Sequence, residues 1–212
     1  MVDLEIYNLK KGFITPKESA QIVKWVKSIH HENVEANHHI KELSKKINGK
    51  SYIFDISRTN LTGYITSFQS ISKVSTDILP EFINSLIDRI AKEFGFTKDH
   101  VFLQVVDMNK GGRINPHYDT AIEGYINYKC NLSVLSENYD LFIGDKSIKI
   151  QETDLYGFEA SLYKHWTNEF SKRRVLLSFG FVIPYKQTGR SESDPRVRLS
   201  RRIEKYFQKN TK

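Results

Sequence analysis

The hydrophobic pattern changes period at Gly95, and this change limits the folds open to the chain. Before it, apolar residues recur at helical spacing. Thr15-Pro16-Lys17-Glu18 reads as a capping box with proline at the first helical position, and Ile22, Trp25, Val26 and Ile29 follow on one face. A second helix is predicted from near Pro80, with Phe82, Leu86 and Ile90 as its apolar face, Ile83 and Ile87 as flanks and Gly95 as its stop. After Gly95 the period is two. Val101–Val106, Cys130–Leu135, Tyr139–Ile143, Ser147–Ile150, Tyr156–Leu162 and Arg174–Ile183 read as strands, with turns such as Gly144-Asp145 between them. Helices first and a run of strands afterwards predict an α+β fold. The strand count fits a double-stranded β-helix, or jelly roll, with the N-terminal helices packed on it. The polar stretch at about residues 35–76 is expected to hold a strand at Ser51–Ile56 and a loop reaching over a site.

A chain of 212 residues with 39% hydrophobic content can bury one sizeable core. It contains no apolar run of membrane-spanning length. Its first residues lack the basic-then-apolar pattern of a signal peptide, and Cys130 is its only cysteine, so an intrachain disulfide is excluded. A cytoplasmic or otherwise intracellular location is the resulting expectation. The formal charge of +7 is unevenly placed: from Lys186 onward nine Lys/Arg face three Asp/Glu, which is +6 and leaves +1 for residues 1–185. The chain therefore divides into a domain over residues 1–185 and a basic tail over 186–212. Ser193-Asp194-Pro195 is a helix-start signal, and Leu199, Ile203 and Phe207 follow four apart, so the tail is expected to form a basic C-terminal helix that docks one face. Such a tail can contact nucleic acid or another polyanion, or be simply solvated.

The chemistry concentrates in the run from Phe102 to Asp119, which closes on Gly111-Gly112-Arg113-Ile114-Asn115-Pro116-His117-Tyr118-Asp119. His117 and Asp119, two apart, share a face on a regular strand. His165 adds a second imidazole from a separate strand. Two imidazoles and one carboxylate can hold Fe(II) on one side and leave the other positions open. The pairs His30-His31 and His38-His39 lack a matching carboxylate strand and read as solvated. Nine residues after His165 begins Arg174-Val-Leu-Leu-Ser-Phe-Gly-Phe-Val-Ile. At period two, Val175, Leu177, Phe179 and Phe181 form a core face, while Arg174, Leu176, Ser178 and Gly180 line a pocket. A buried guanidinium needs an anion, which a dicarboxylate supplies bidentately, and Ser178 is expected to share it. Lys172 and Arg173 are expected at the surface.

The run Leu103-Gln104-Val105 through Gly111-Gly112 to Pro116-His117-Tyr118-Asp119 resembles the metal-binding strand of prolyl 4-hydroxylases, within the 2-oxoglutarate/Fe(II)-dependent oxygenase superfamily. Weaker similarity covers about residues 10–185. The segment Asp154–His165 also resembles the corresponding strand of AlkB-like nucleic-acid demethylases. The resemblance implies His117, Asp119 and His165 as iron ligands and Arg174 as the anchor of the far carboxylate of 2-oxoglutarate, with Asn131 as a further co-substrate contact. It implies a dioxygenase that uses O2, hydroxylates a C–H bond and releases succinate and CO2. The chain departs from both subfamilies. Val175 stands where collagen-type prolyl hydroxylases have lysine, Met108 where they usually have tyrosine, and Gly180 where AlkB-like enzymes have a second arginine. The collagen-type enzymes also carry a Gly-Gly-x-Thr strand that is not found after Leu135. Three readings follow: a hydroxylase of a peptide or amino-acid side chain, an AlkB-like nucleic-acid hydroxylase or demethylase, and a jelly-roll binding module without catalysis.

Overall fold

The computed structural model describes residues 6–30, 59–60, 63–68, 79–97, 101–119 and 125–188. The expected strand at Ser51–Ile56, the two histidine pairs beyond His30 and the C-terminal helix of residues 186–212 lie outside these residues or almost wholly so. Element order is β1 (Tyr7–Lys10), α1 (Pro16–His30), β2 (Thr59–Asn60), β3 (Gly63–Phe68), α2 (Glu81–Phe94), β4 (Val101–Met108), β5 (Arg113–Ile114), β6 (Tyr125–Leu135), β7 (Tyr139–Ile143), β8 (Lys146–Ile150), β9 (Leu155–Glu159), β10 (His165–Thr167) and β11 (Arg174–Pro184), then a 3-10 turn at Tyr185–Thr188. No helix among the described residues is long and apolar enough to cross a membrane.

Local signals set both helices. The Thr15 hydroxyl accepts from the Glu18 N–H at 3.2 Å, and Glu18 accepts from the Thr15 N–H at 2.7 Å, closing a reciprocal capping box. α2 ends where Gly95 takes φ 69°, a left-handed turn that a side chain would strain, and the Gly95 and Phe96 N–H groups satisfy the carbonyls of Lys92 and Ala91.

Six strands form one antiparallel sheet in the order β1-β9-β6-β11-β4-β3. A smaller antiparallel sheet runs β10-β7-β8, and β2 pairs with β5. A backbone bridge between His117 and His165 carries the β5 end onto β10. The large sheet has a different layer on each face. On one, Val175, Leu177, Phe179 and Phe181 of β11 pack with Ile22 and Val26 of α1 and Ile83, Leu86, Ile87 and Ile90 of α2. On the other, Leu176 packs with Val106, Met108, Tyr156 and Phe158 against Leu141, Ile143, Ile148 and Ile150 of the small sheet. Each such side chain removed from water contributes about 1.5–3 kcal/mol, so both layers bind the sheet firmly. The alternation expected along β11 is what sorts its residues between the two. The predicted α+β class holds, as a mostly antiparallel structure with two α-helices among the described residues.

Candidate metal and co-substrate site

The site lies between the two sheets, beside the second apolar layer. His117 and Asp119 follow β5 in an extended segment rather than a regular strand. His117 is held by its bridge to His165, and the Asp119 N–H donates to the Ala160 carbonyl at 2.9 Å. His165 opens β10. Gly112 lets this segment fold back on β4, since a Cβ there would lie 2.1 Å from the Met108 Cγ.

His117, Asp119 and His165 bring one ligand atom each to within 4.8 Å of one another. Asp119 Oδ1 lies 3.3 Å from His117 Nε2 and 3.9 Å from His165 Nε2. Donors sharing one ion at about 2.1 Å stand roughly 3 Å apart, so little closure is needed. The other ring nitrogens are already engaged: His117 Nδ1 lies 2.7 Å from the Asn115 carbonyl and His165 Nδ1 3.0 Å from the Tyr163 carbonyl. Donation to those carbonyls fixes the tautomer in which both Nε2 atoms can ligate, as is usual for metal-binding histidines. Burial lowers the His165 pKa to about 4, outweighing the Asp119 carboxylate, which raises it, so the ring is neutral and ligand-ready at physiological pH. Burial alone would raise the Asp119 carboxyl, but the Lys129 ammonium beside it holds it well below its ordinary range. The donor set fits a divalent metal.

Arg174 is 1% exposed and has no carboxylate partner among the described residues. Its Nη2 donates to the hydroxyls of Tyr139 at 2.9 Å and Tyr156 at 3.2 Å. Its guanidinium lies 4.7 Å from the ring centroids of both Tyr139 and Phe170. Nε and Nη1 are buried without a hydrogen-bond partner. A buried cation with two idle donors is costly unless an anion completes it. Asn131, paired in register with both Ser178 and Tyr156, is also buried, and its Oδ1 has no partner.

Ser178 faces the same side as Arg174, four residues along β11, and pairs in register with Asn131. One expectation needs correction. Arg173 is not simply at the surface: its Nε and Nη2 form a bidentate pair with the buried Asp107 at 2.8 and 2.6 Å. Lys172 is exposed as expected. Three residues escaped the sequence reading. Tyr139 and Tyr156 hold Arg174, and Lys129 holds Asp119. The signal for Lys129 was there: Asn127, Lys129, Asn131 and Ser133 alternate with Ile126, Tyr128, Cys130 and Leu132, which marks a polar face on a buried strand.

No protein-family model matches the sequence. A 90-residue stretch, 42% of this chain, is 29% identical to one component of the aspartyl/glutamyl-tRNA(Asn/Gln) amidotransferase of Sulfolobus acidocaldarius. The match spans 18% of that protein's length. Solved structures are closer in shape. A Pseudomonas putida prolyl-4-hydroxylase superposes with a TM-score of 0.56 at 10% identity, covering 83% of this chain and 91% of that one. A Trichoplax adhaerens prolyl hydroxylase, in complex with a hypoxia inducible factor peptide fragment, gives 0.54 at 13% identity over 87% and 86%. A Phytophthora capsici prolyl 4-hydroxylase gives 0.54 at 10% identity over 88% and 61%. The chain shares its fold with these prolyl hydroxylases, and a His-Asp-His group that could hold a metal ion is present within it.

Proposed function

We propose that the chain is a 2-oxoglutarate- and Fe(II)-dependent dioxygenase on a double-stranded β-helix, and that it hydroxylates a C–H bond of a peptide or amino-acid side chain. The observation that carries the reading is the pairing of a preassembled His117–Asp119–His165 group with a buried arginine that lacks an anion. His117, Asp119 and His165 would hold Fe(II). When bound, Fe(II) supplies the O2 chemistry that converts 2-oxoglutarate to succinate and CO2 and a substrate C–H to C–OH.

The chain's own part is binding, orientation and exclusion of water. Arg174 offers Nε and Nη1 to the far carboxylate of 2-oxoglutarate, while Tyr139 and Tyr156 fix the plane of its guanidinium. Phe170 and Tyr139 cover it and keep water off. Asn131 lies on the neighbouring strand as a further contact for the co-substrate. Leu176, Val106 and Phe158 make the surrounding wall apolar, which strengthens the charge pairing. The peptide substrate is favoured by the fold shared with prolyl hydroxylases, one of them solved with a peptide fragment.

The test is O2-dependent conversion of 2-oxoglutarate to succinate by the purified chain with Fe(II), first alone and then with peptide pools. Succinate formation that stops in Asp119→Ala and Arg174→Ala, with a peptide mass gain of one oxygen, supports the reading. Succinate formation stimulated only by single-stranded nucleic acid replaces the peptide with a nucleic-acid substrate.

A further inference from the structure

Lys129 is one of the few buried charged side chains outside the proposed ligand set, and its surroundings form a built cradle. Its Nζ lies 3.1 Å from Asp119 Oδ2 and 3.1 Å from Gln104 Oε1. It stands 5.6 Å over the Phe102 ring. Directly across the strand pair is Gly180. A Cβ at Gly180 would fall 1.9 Å from the Phe102 Cζ and displace the ring. The missing side chain leaves room for the tip of the Phe102 ring, and the ring then attracts the lysine ammonium. Gly180, Phe102 and Gln104 thus aim one cation at one oxygen of Asp119.

The Asp119 carboxylate is divided by this arrangement. Oδ1 faces both imidazoles, and Oδ2 faces Lys129. We infer that Lys129 is a positioning residue that reserves Asp119 Oδ2 and so restricts Asp119 to a single oxygen toward the metal. This rests on the reading of His117, Asp119 and His165 as the metal-binding group. A free carboxylate can bind a cation through one oxygen or both. The second mode consumes a position that the co-substrate or O2 needs, because the facial set works only by leaving positions open. An ammonium suits the task. It is a compact charge with three donors, one of which Gln104 takes, and it faces Asp119 Oδ2 as an ion pair at 3.1 Å without a hydrogen bond to that oxygen.

Co(II) reports the arrangement directly, since its visible absorption depends on coordination number and geometry, independently of turnover. The comparison is wild type, Lys129→Met and Gln104→Leu, each loaded with Co(II) and titrated with 2-oxoglutarate. Lys129→Met is expected to bind Co(II) with an altered visible spectrum and to bind 2-oxoglutarate about 10-fold or more weakly, the scale typical for removing an outer partner of a metal ligand. Gln104→Leu, which leaves the lysine in place but loosens it, is expected to move both readouts the same way by less. A Lys129→Met protein with the wild-type spectrum and wild-type 2-oxoglutarate affinity overturns the inference. If that variant does not fold, an unchanged spectrum in Gln104→Leu overturns it instead. Absence of any Co(II) spectrum in wild type, or one that survives His117→Ala, removes the metal reading itself, and this role of Lys129 goes with it.

Discussion

His117 and His165 exchange both backbone hydrogen bonds, the His117 N–H donating to the His165 carbonyl at 3.2 Å and the His165 N–H to the His117 carbonyl at 2.9 Å. Their rings stand 4.2 Å apart between centroids. Two imidazoles far apart in sequence are therefore adjacent before any ion arrives, and the ordering cost of the site is met by folding.

Metal binding should raise thermal stability. At an ion concentration a hundredfold above Kd the gain is about 2.7 kcal/mol, read as roughly 5–10 °C in a chain of this size. Mn(II), Ni(II) or Zn(II) should serve in place of Fe(II). His117→Ala, Asp119→Ala and His165→Ala should each abolish most of the shift in a thermal melt with and without metal. A full shift in these variants would place the ion elsewhere.

Arg174→Ala should weaken 2-oxoglutarate binding by about 2–5 kcal/mol, as for truncating one member of a buried charge pair. Tyr139→Phe removes one hydrogen bond to the same guanidinium and should cost about 0.5–1.5 kcal/mol. Calorimetric titration of the Mn(II)-loaded protein checks both. Equal effects would mean that the arginine acts only through the tyrosines.

Arg173→Ala should separate stability from co-substrate binding. It removes a bidentate partner from Asp107, whose side chain is 9% exposed. The expected loss is about 1–2 kcal/mol, less than the 3–5 typical of breaking a fully buried pair, because Arg173 is partly solvated. Urea unfolding should show the loss, while 2-oxoglutarate affinity should hold within about twofold. A large fall in affinity would move the anchor from Arg174 to its neighbour.

The metal-free protein should lose stability in acid. His165 titrates near 6.5 when unfolded and about 4 when folded, because burial disfavours its cation. Its contribution is complete above the unfolded value and declines as pH falls from about 6.5 toward 4, where the unfolded state binds the extra proton. Asp119, held below its ordinary range, works in the same sense at still lower pH. Denaturant titrations across this window should show a steeper decline in wild type than in His165→Gln. Parallel slopes would show that His165 is not buried in solution.

Much of the architecture was legible because it is local. The Thr15–Glu18 box, the Gly95 stop and the alternation along β11 are each written within a few residues. β6 was misread at its start, at Cys130 instead of Tyr125, because Asn127 and Lys129 resemble loop residues until a pocket is known to face them. β1 escaped as a four-residue edge strand that exists by pairing with β9. The Asp107–Arg173 and Arg174–Tyr139 pairs join strands distant in sequence, and no local signal announces such partners. The candidate group His117, Asp119 and His165 was legible because His-x-Asp and a later histidine form an order with chemical meaning. Lys129 left a signal in the alternation along β6, while Tyr139 and Tyr156 meet Arg174 only through tertiary structure.

The idle Nε and Nη1 of Arg174 carry a consequence for the life of the protein in the cell. If 2-oxoglutarate is the anion that Arg174 takes, part of the folding free energy would rise and fall with its supply. When that anion is scarce, a larger fraction of molecules visits open states that quality-control proteases recognise. Abundance would then track nutrient status through protein turnover, with no dedicated sensor and no change in transcription.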